Sequence, residues 1–225
     1  MAQPTNTFDT YDSVGEREDL SDVIYSISPT DTPFLSSAAK TKATAVLHEW
    51  QTDALAAAVT NNAVIEGDEA TLDAATATTR LSNSSQIMDK TVVITGTQES
   101  VDKAGRASEI AYQIAKKAKE LKRDMETMLT SNTAGSAGSS GTARATAGLG
   151  AWVKTNTSKG TGGAEPTTSG SGNAGYPNAA RTDGTLRTIT EAMMNTVVKE
   201  CWDEGAEPTL MMVGSAIKQK VSSTF

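Results

Sequence analysis

The residues able to do chemistry are few and scattered. His48 is the single histidine and Cys201 the single cysteine of the 225-residue chain, so a histidine zinc cluster is impossible and no second thiol is available beside the first. His48 alternates with Val46 and Trp50, the spacing of a strand, and reads as a packing residue and not as a general base. Cys201 falls inside a helix-periodic stretch and reads as a small core residue, not a nucleophile. Gly135-Ser-Ala-Gly-Ser-Ser-Gly141 has the glycines of a phosphate loop but lacks the Gly-Lys-Ser/Thr ending and a preceding apolar strand, which makes it a linker. Asp12, Glu16, Glu18, Asp19 and Asp22 lack the alternating spacing and glycine of a calcium loop and read as a solvated face. Lys116, Lys117, Lys119, Lys122 and Arg123 form a basic run, but Glu120 and Asp124 interrupt it, giving a solvated or subunit-facing surface and not a nucleic-acid grip. The residues therefore predict no enzyme, no metal and no cofactor.

Composition narrows the classes further. Lys plus Arg total 20 against 27 Asp plus Glu, a net charge of −7, the wrong balance for a chain whose task is to hold phosphates. Aromatics are 4% of residues, so a core must rely on aliphatic side chains, Met and Ala. A lone cysteine fits a reducing compartment. The opening MAQPTNTFDTYD has neither a basic n-region nor an apolar h-region, and no apolar run approaches bilayer length, so synthesis in the cytoplasm is expected.

One stretch commits firmly to structure. In Ala104–Thr130 the residues Ile110, Ile114, Leu121, Met125 and Met128, with Ala118 in the gap, recur at steps of three and four and predict one long helix. Its other side is charged, and Glu109 near its start suits a helix N-terminus. Before it, residues 1–42 have no sustained period. Glu18–Ser26 is expected to be a short helix with Leu20, Val23, Ile24 and Ile27 on one face, stopped by Ser28-Pro29-Thr30-Asp31-Thr32-Pro33. Such an arm has apolar anchors but no core of its own. Ala43–Leu55 alternates as a strand, Ser85–Val101 reads as a second strand around Val92, Val93 and Ile94, and the pair predicts a projecting hairpin over 43–95. Its tip, at Asn61-Asn62 and Glu66-Gly67-Asp68, has Val59, Val64, Ile65 and Leu72 to bury, which calls for another subunit.

Ser131–Gly184 is low in complexity, and 155–177 is expected to be a flexible Gly/Ser/Thr-rich insertion. From Thr185, Leu186, Ile189, Met193, Val197 and Trp202 predict a second helix, capped by Thr182 or Asp183 and ended by Gly205 and Pro208. Thr209–Val213 then reads as a buried strand, followed by a third helix through Val221. This is an α+β unit without a closing strand, so a further C-terminal part is expected to complete its sheet.

The order of arm, long hairpin, long helix and α+β unit resembles the Hong-Kong-97-type capsid fold of tailed bacteriophages. Tyr11-Asp-Ser-Val-Gly-Glu-Arg-Glu-Asp-Leu-Ser-Asp-Val-Ile-Tyr25, Ser28-Pro-Thr-Asp-Thr-Pro-Phe34, Ala63-Val-Ile-Glu-Gly-Asp-Glu69, Thr95-Gly-Thr-Gln-Glu-Ser100 and Lys116–Asp124 are similar to one branch of phage major head proteins. The resemblance implies an N-terminal arm at 1–42, an E-loop at 43–95, the spine helix of a peripheral domain at 96–133 and an axial domain at 134–225. It also implies self-assembly as hexamers and pentamers into an icosahedral head that encloses double-stranded DNA without reading its sequence. Scaffolding, portal and decoration proteins are possible partners, and no membrane is involved. The residence would be the virion, assembled in the host bacterial cytoplasm. Tyr11, Leu20, Ile24, Trp50, Val59, Val64, Ile65, Glu66, Asp68, Lys116 and Arg123 are the expected intersubunit contacts.

Two departures from the family pattern stand out. No lysine occurs between Lys42 and Lys90, so the E-loop lysine cross-link of some members is not expected. The arm starts at Met1 without a long scaffolding helix, so any scaffold is expected to be separate or already removed. The rival readings are another phage structural protein, of tail or fibre, and a hydrolase whose site lies in further C-terminal sequence.

Overall fold

The computed structural model describes residues 23–70, 72–169 and 175–224. It is mixed α and β with small sheets, in agreement with an α+β class. The chain divides into two compact units, one made of Met1–Thr30 with Lys90–Glu120 and the other of Asp31–Asp89 with Leu121–Phe225.

In the first unit the described arm, from residue 23 on, has no helix; the expected Glu18–Ser26 helix otherwise lies outside the described residues. Helix α2 (Gly96–Ser100) opens on Thr95, whose hydroxyl accepts from the Gln98 N–H. Helix α3 spans Glu109–Thr130 and carries its first part in this unit. The helix starts five residues later than the expected Ala104 because Gly105 adopts a left-handed φ of 77° and Ser108 caps the first turn, its hydroxyl accepting from Ala111 N at 3.2 Å. A turn and a cap residue outrank the continuing apolar period there.

The second unit opens on α1 (Pro33–Ser37), with Pro33 in the first turn where its missing N–H costs nothing. Strand β1 (Leu47–Thr52) pairs antiparallel with β2 (Thr79–Ser84), placing Trp50 opposite Leu81 and His48 opposite Asn83. The hairpin exists, but its second strand is Thr79–Ser84 and not Ser85–Val101. The Val92–Ile94 run forms no ladder with any described residue. Thr-Arg-Leu-Ser-Asn-Ser is a polar strand that no apolar alternation advertises. Its partners explain it: Arg80 pairs with Glu49 at 2.8 Å, and Gly175 bonds its free edge, with Ser82 N donating to Gly175 O at 2.9 Å and Gly175 N to Arg80 O at 3.1 Å.

The same bonds revise the expected flexible insertion at 155–177. Its described residues carry β3 (Thr167–Ser169), which pairs with β4 (Tyr176–Ala179). Pro177 is fully buried, and Ala164 bridges to Thr182 through a pair of 3.0 Å bonds. Lys159 and Thr157 both reach the Glu165 carboxylate. Polar composition predicted a linker, yet backbone and side-chain hydrogen bonds hold the stretch without needing apolar content.

Small residues make the core of this unit. Ala151, on the short helix α4 (Leu149–Trp152), is 0% exposed, Ala147 is 4% exposed, and Ser82 and Pro177 are fully buried. Trp50 meets Trp152 in a tilted arrangement with ring centroids 5.0 Å apart. Two asparagines act as strand surrogates. Asn83 both donates to Ala147 O and accepts from Ala147 N, and Asn132 does the same for the backbone of Arg181. Helix α5 (Glu191–Asp203) starts at Glu191 because Thr190 caps it, beyond the expected Thr182 or Asp183. Gly205, at φ 83°, ends it as expected. The expected buried strand at Thr209–Val213 is not formed: these residues are exposed and join no ladder among the described residues, and α6 (Ser215–Thr224) follows.

Candidate functional site

The surface that stands out is the loop between β1 and β2. From Asp53 to Thr78 every described residue is exposed, and a single backbone hydrogen bond, Asp68 N to Ile65 O at 3.1 Å, appears among the described residues of this span. That bond closes a turn with Gly67 at its third position and φ of 87°, which a side-chain-bearing residue would resist. The turn sets Ile65 beside Val64 at the tip. Leu55 is 99% exposed, Val64 85% and Ile65 78%, with Val59 and Leu72 also in solvent. Asp53, Glu66, Asp68, Glu69 and Asp73 lie in the same span, and no Lys or Arg occurs from residue 43 to 79. The tip is therefore both apolar and uniformly acidic.

Helix α3 offers the opposite sign. Lys116, Lys119, Lys122 and Arg123 are exposed, at steps that spread them over one side of the helix. Beside them Ile110 and Ile114 stay about half exposed, so the expected apolar stripe is open to solvent over its first turns. Leu121, Met125 and Met128 are half-buried. On the helix Lys117 stands 2.7 Å from Glu120.

The start of α3 is locked by a polar knot within the first unit. The Glu99 carboxylate accepts from the N–H groups of Glu109 (2.9 Å) and Ile110 (3.2 Å), two donors that a helix N-terminus leaves without partners. Its carboxyl is held below the ordinary range, first by the Ser108 hydroxyl and then by these backbone donors and Lys103. Glu109, buried, accepts from Gln113 at 2.7 Å and from Arg106, and these bonds likewise hold its carboxyl low. Lys103 Nζ caps the end of α2, donating to the carbonyls of Gln98, Glu99 and Val101 at 2.8–3.1 Å. The knot is fully satisfied and structural, with no group left over for chemistry.

In the second unit Glu126 of α3 clamps the arm. Its two carboxylate oxygens accept from Phe34 N at 2.8 Å and Leu35 N at 2.7 Å, taking the place of a side-chain cap that Thr32 does not provide. Sequence reading missed Glu126, because a contact across 92 residues leaves no local signal.

The expected contact residues fall into distinct settings. Val59, Val64, Ile65, Glu66 and Asp68 share the loop, Lys116 and Arg123 share α3, and Ile24 is exposed on the arm. Trp50 is half-buried against Trp152 and 5.9 Å from the His48 ring, so it serves its own unit. His48 is exposed, not packed, and Cys201 is half-buried. Tyr11 and Leu20 lie outside the described residues. Among the described residues no group of three or more His, Cys, Asp or Glu side chains gathers as a metal set, and no helix is long and apolar enough to cross a membrane.

Comparison with known proteins gives these surfaces a context. The major capsid protein of Escherichia phage Phieco32 is 40% identical over 126 residues, 56% of this chain and 36% of that protein. This chain thus spans about a third of the length of the curated relative it matches. The sequence profile of the SU10 major capsid proteins matches residues 3–225, nearly the whole chain. The chain belongs to the SU10 major capsid protein family.

Proposed function

We propose that copies of this protein build the icosahedral head of a tailed phage, as hexamers and pentamers of a Hong-Kong-97-type subunit, around double-stranded DNA. In this reading 1–42 is the arm, 43–95 the E-loop, 96–133 the spine helix and 134–225 the axial domain. The protein works as a virion structural component and not as an enzyme.

The observation that carries the reading is the exposed apolar loop. Aliphatic side chains as open as Leu55, Val64 and Ile65, held out on a span with almost no internal bonding, gain stability only when something covers them. A shell supplies the cover, since every copy lends its loop to a neighbour and receives another. Charge complementarity supports one receiving face: an acidic tip without a cation suits the Lys116, Lys119, Lys122 and Arg123 side of α3. The net charge of −7 suits a wall along which DNA must slide without sticking.

The test is electron microscopy of particles from cells expressing the natural full-length polypeptide. Closed shells of one or a few discrete diameters are expected. Fibres, tubes alone or monodisperse monomers at high concentration would overturn the proposal.

A further inference from the structure

The loop between β1 and β2 is open to more than a neighbouring copy. A protease binds its substrate as an extended strand, so backbone that is already bonded must first be freed. Among the described residues from 53 to 78 there is one backbone-to-backbone bond, Asp68 N to Ile65 O. Two further bonds, Ala54 N to the Asp53 carboxylate and Glu69 N to the Asp68 carboxylate, join sequence neighbours and tie the loop to nothing. Within it residues 54–65 carry no charge, and Leu55, Val59, Val64 and Ile65 all stand in solvent. Exposed loops of this kind are where proteolytic nicks concentrate.

The sequence decides which enzymes can use it. No Lys or Arg occurs from residue 43 to 79, so a Lys/Arg-directed protease finds no bond to cut in the loop. Arg80, the next basic residue, lies in β2, pairs with Glu49 at 2.8 Å and has its carbonyl bonded by Gly175 N. An enzyme with an apolar specificity pocket meets the opposite situation: Ala54-Leu55, Ala58-Val59 and Ala63-Val64 each offer a small residue followed by an aliphatic one. A cut there also leaves the two pieces joined. The β1–β2 ladder from Leu47–Ser84 to Thr52–Thr79, the Glu49–Arg80 ion pair and the Glu126 bonds to Phe34 and Leu35 all cross from one piece to the other.

We propose that residues 54–65 are a proteolytic processing site for endopeptidases that select aliphatic residues, and that a cut there silences the subunit while leaving it folded. In the reaction water adds across one amide: the C–N bond breaks, the acyl carbon leaves as a carboxylate and the nitrogen as an ammonium group. The silencing rests on the shell reading above, because the cut severs the loop that each copy lends to a neighbour. In a closed shell the same neighbour shields the site, so the free subunit is the substrate and the assembled one is not.

The experiment is limited digestion of the natural polypeptide, held as free subunits, by thermolysin, which cuts before aliphatic residues, with the products mapped by mass. Cuts within 54–65 are expected about 100-fold or more faster than cuts within α3. The nicked protein should elute as one species of the intact size with unchanged circular dichroism. Asn62→Lys should add a trypsin cut after residue 62 at a comparable rate, showing that the sequence and not the fold excludes trypsin. A loop cut no sooner than α3, or an Asn62→Lys loop that trypsin leaves whole, would overturn the site. Pieces that separate or unfold would overturn the retained fold. Nicked subunits should fail to close into shells where intact ones succeed, and normal shells from nicked subunits would overturn the silencing. Intact subunits that form no shells would overturn the assembly reading alone, because the cut positions and the nicked fold are read on free subunits.

Discussion

Removing the Glu126 carboxylate should release α1. The five-residue helix is far below the length at which a helix persists by itself, so its docking decides whether it exists. Glu126 supplies two bonds of 2.8 and 2.7 Å to consecutive backbone N–H groups in a partly buried place. Hydrogen bonds to a charged acceptor contribute about 1.5–3 kcal/mol each, and two sharing one carboxylate sum to less than double, giving about 2–4 kcal/mol. Glu126→Ala should therefore speed amide exchange across Phe34–Ala38 by about 30- to 700-fold, at about 1.4 kcal/mol per tenfold. Glu126→Gln should lose nearly as much, because its amide offers an acceptor to one N–H and a donor to the other. Thr32→Ala is the control: the Thr32 side chain makes no capping bond, so exchange should stay within about threefold, as for a surface change within ±0.5 kcal/mol. Unchanged exchange in Glu126→Ala, with α3 intact by circular dichroism, would refute the clamp and assign the docking of α1 to Phe34 and Leu35 packing instead.

Ile65→Asp should give a folded, soluble subunit that fails to close into stable shells. It removes an aliphatic contact of about 1.5–3 kcal/mol when covered and adds charge beside Glu66 and Asp68; shells of normal heat stability by sedimentation would contradict this. The carboxyls of Glu99 and Glu109 sit below the ordinary value of 4.5. Their contribution to the α2–α3 junction is therefore full above pH 4.5 and lost as pH falls through the lowered folded values. Protection of the Glu109 and Ile110 amides, taken relative to the intrinsic exchange rate at each pH, should fall on acidification, and Glu99→Gln should flatten that dependence. Gly160→Ala and Gly184→Ala should each lower the melting temperature. A methyl at Gly160 would stand 2.1 Å from Thr185 O and one at Gly184 2.3 Å from Gly160 O, overpacking of about 1–3 kcal/mol. Replacing 155–177 with a Gly/Ser linker should destabilise the β1–β2 sheet, because Gly175 and Pro177 go with it; a variant of wild-type melting temperature would refute that support.

The long helix, the hairpin's first strand and the last two helices could be read from the chain because each depends on local periodicity. Ile110 to Met128 recur at helical steps, and α3 follows them to Thr130. What periodicity cannot register is a strand or turn held by distant backbone. Thr79–Ser84 is a strand because Leu47–Thr52 and Gly175 flank it, and nothing inside Thr-Arg-Leu-Ser-Asn-Ser says so. Val92–Ile94 misled in the opposite direction, since β-branched residues state a preference while pairing needs a partner. The loop tip was legible because Glu66-Gly67-Asp68 is turn chemistry and the aliphatic residues around it lack company. Glu126 and the Glu99–Lys103–Glu109 knot were not, because a carboxylate that caps someone else's helix looks like any surface acid in one dimension.

The strand-surrogate asparagines distribute mutational tolerance unequally. Asn83 reads only the main chain of Ala147, and Asn132 only that of Arg181, so the recognised residue can drift in identity while the reading residue cannot. Aspartate loses the donor, leucine loses both functions, and glutamine overreaches by a methylene. Between residues 131 and 184, where Gly, Ser, Thr and Ala crowd the sequence, Asn83 from outside the stretch and Asn132 from within it fix main-chain positions whatever side chains those positions carry. The positions read through their main chain can change identity, whereas Asn132, Gly160 and Gly184 cannot, so the region keeps its path through space and still looks to composition like a tether.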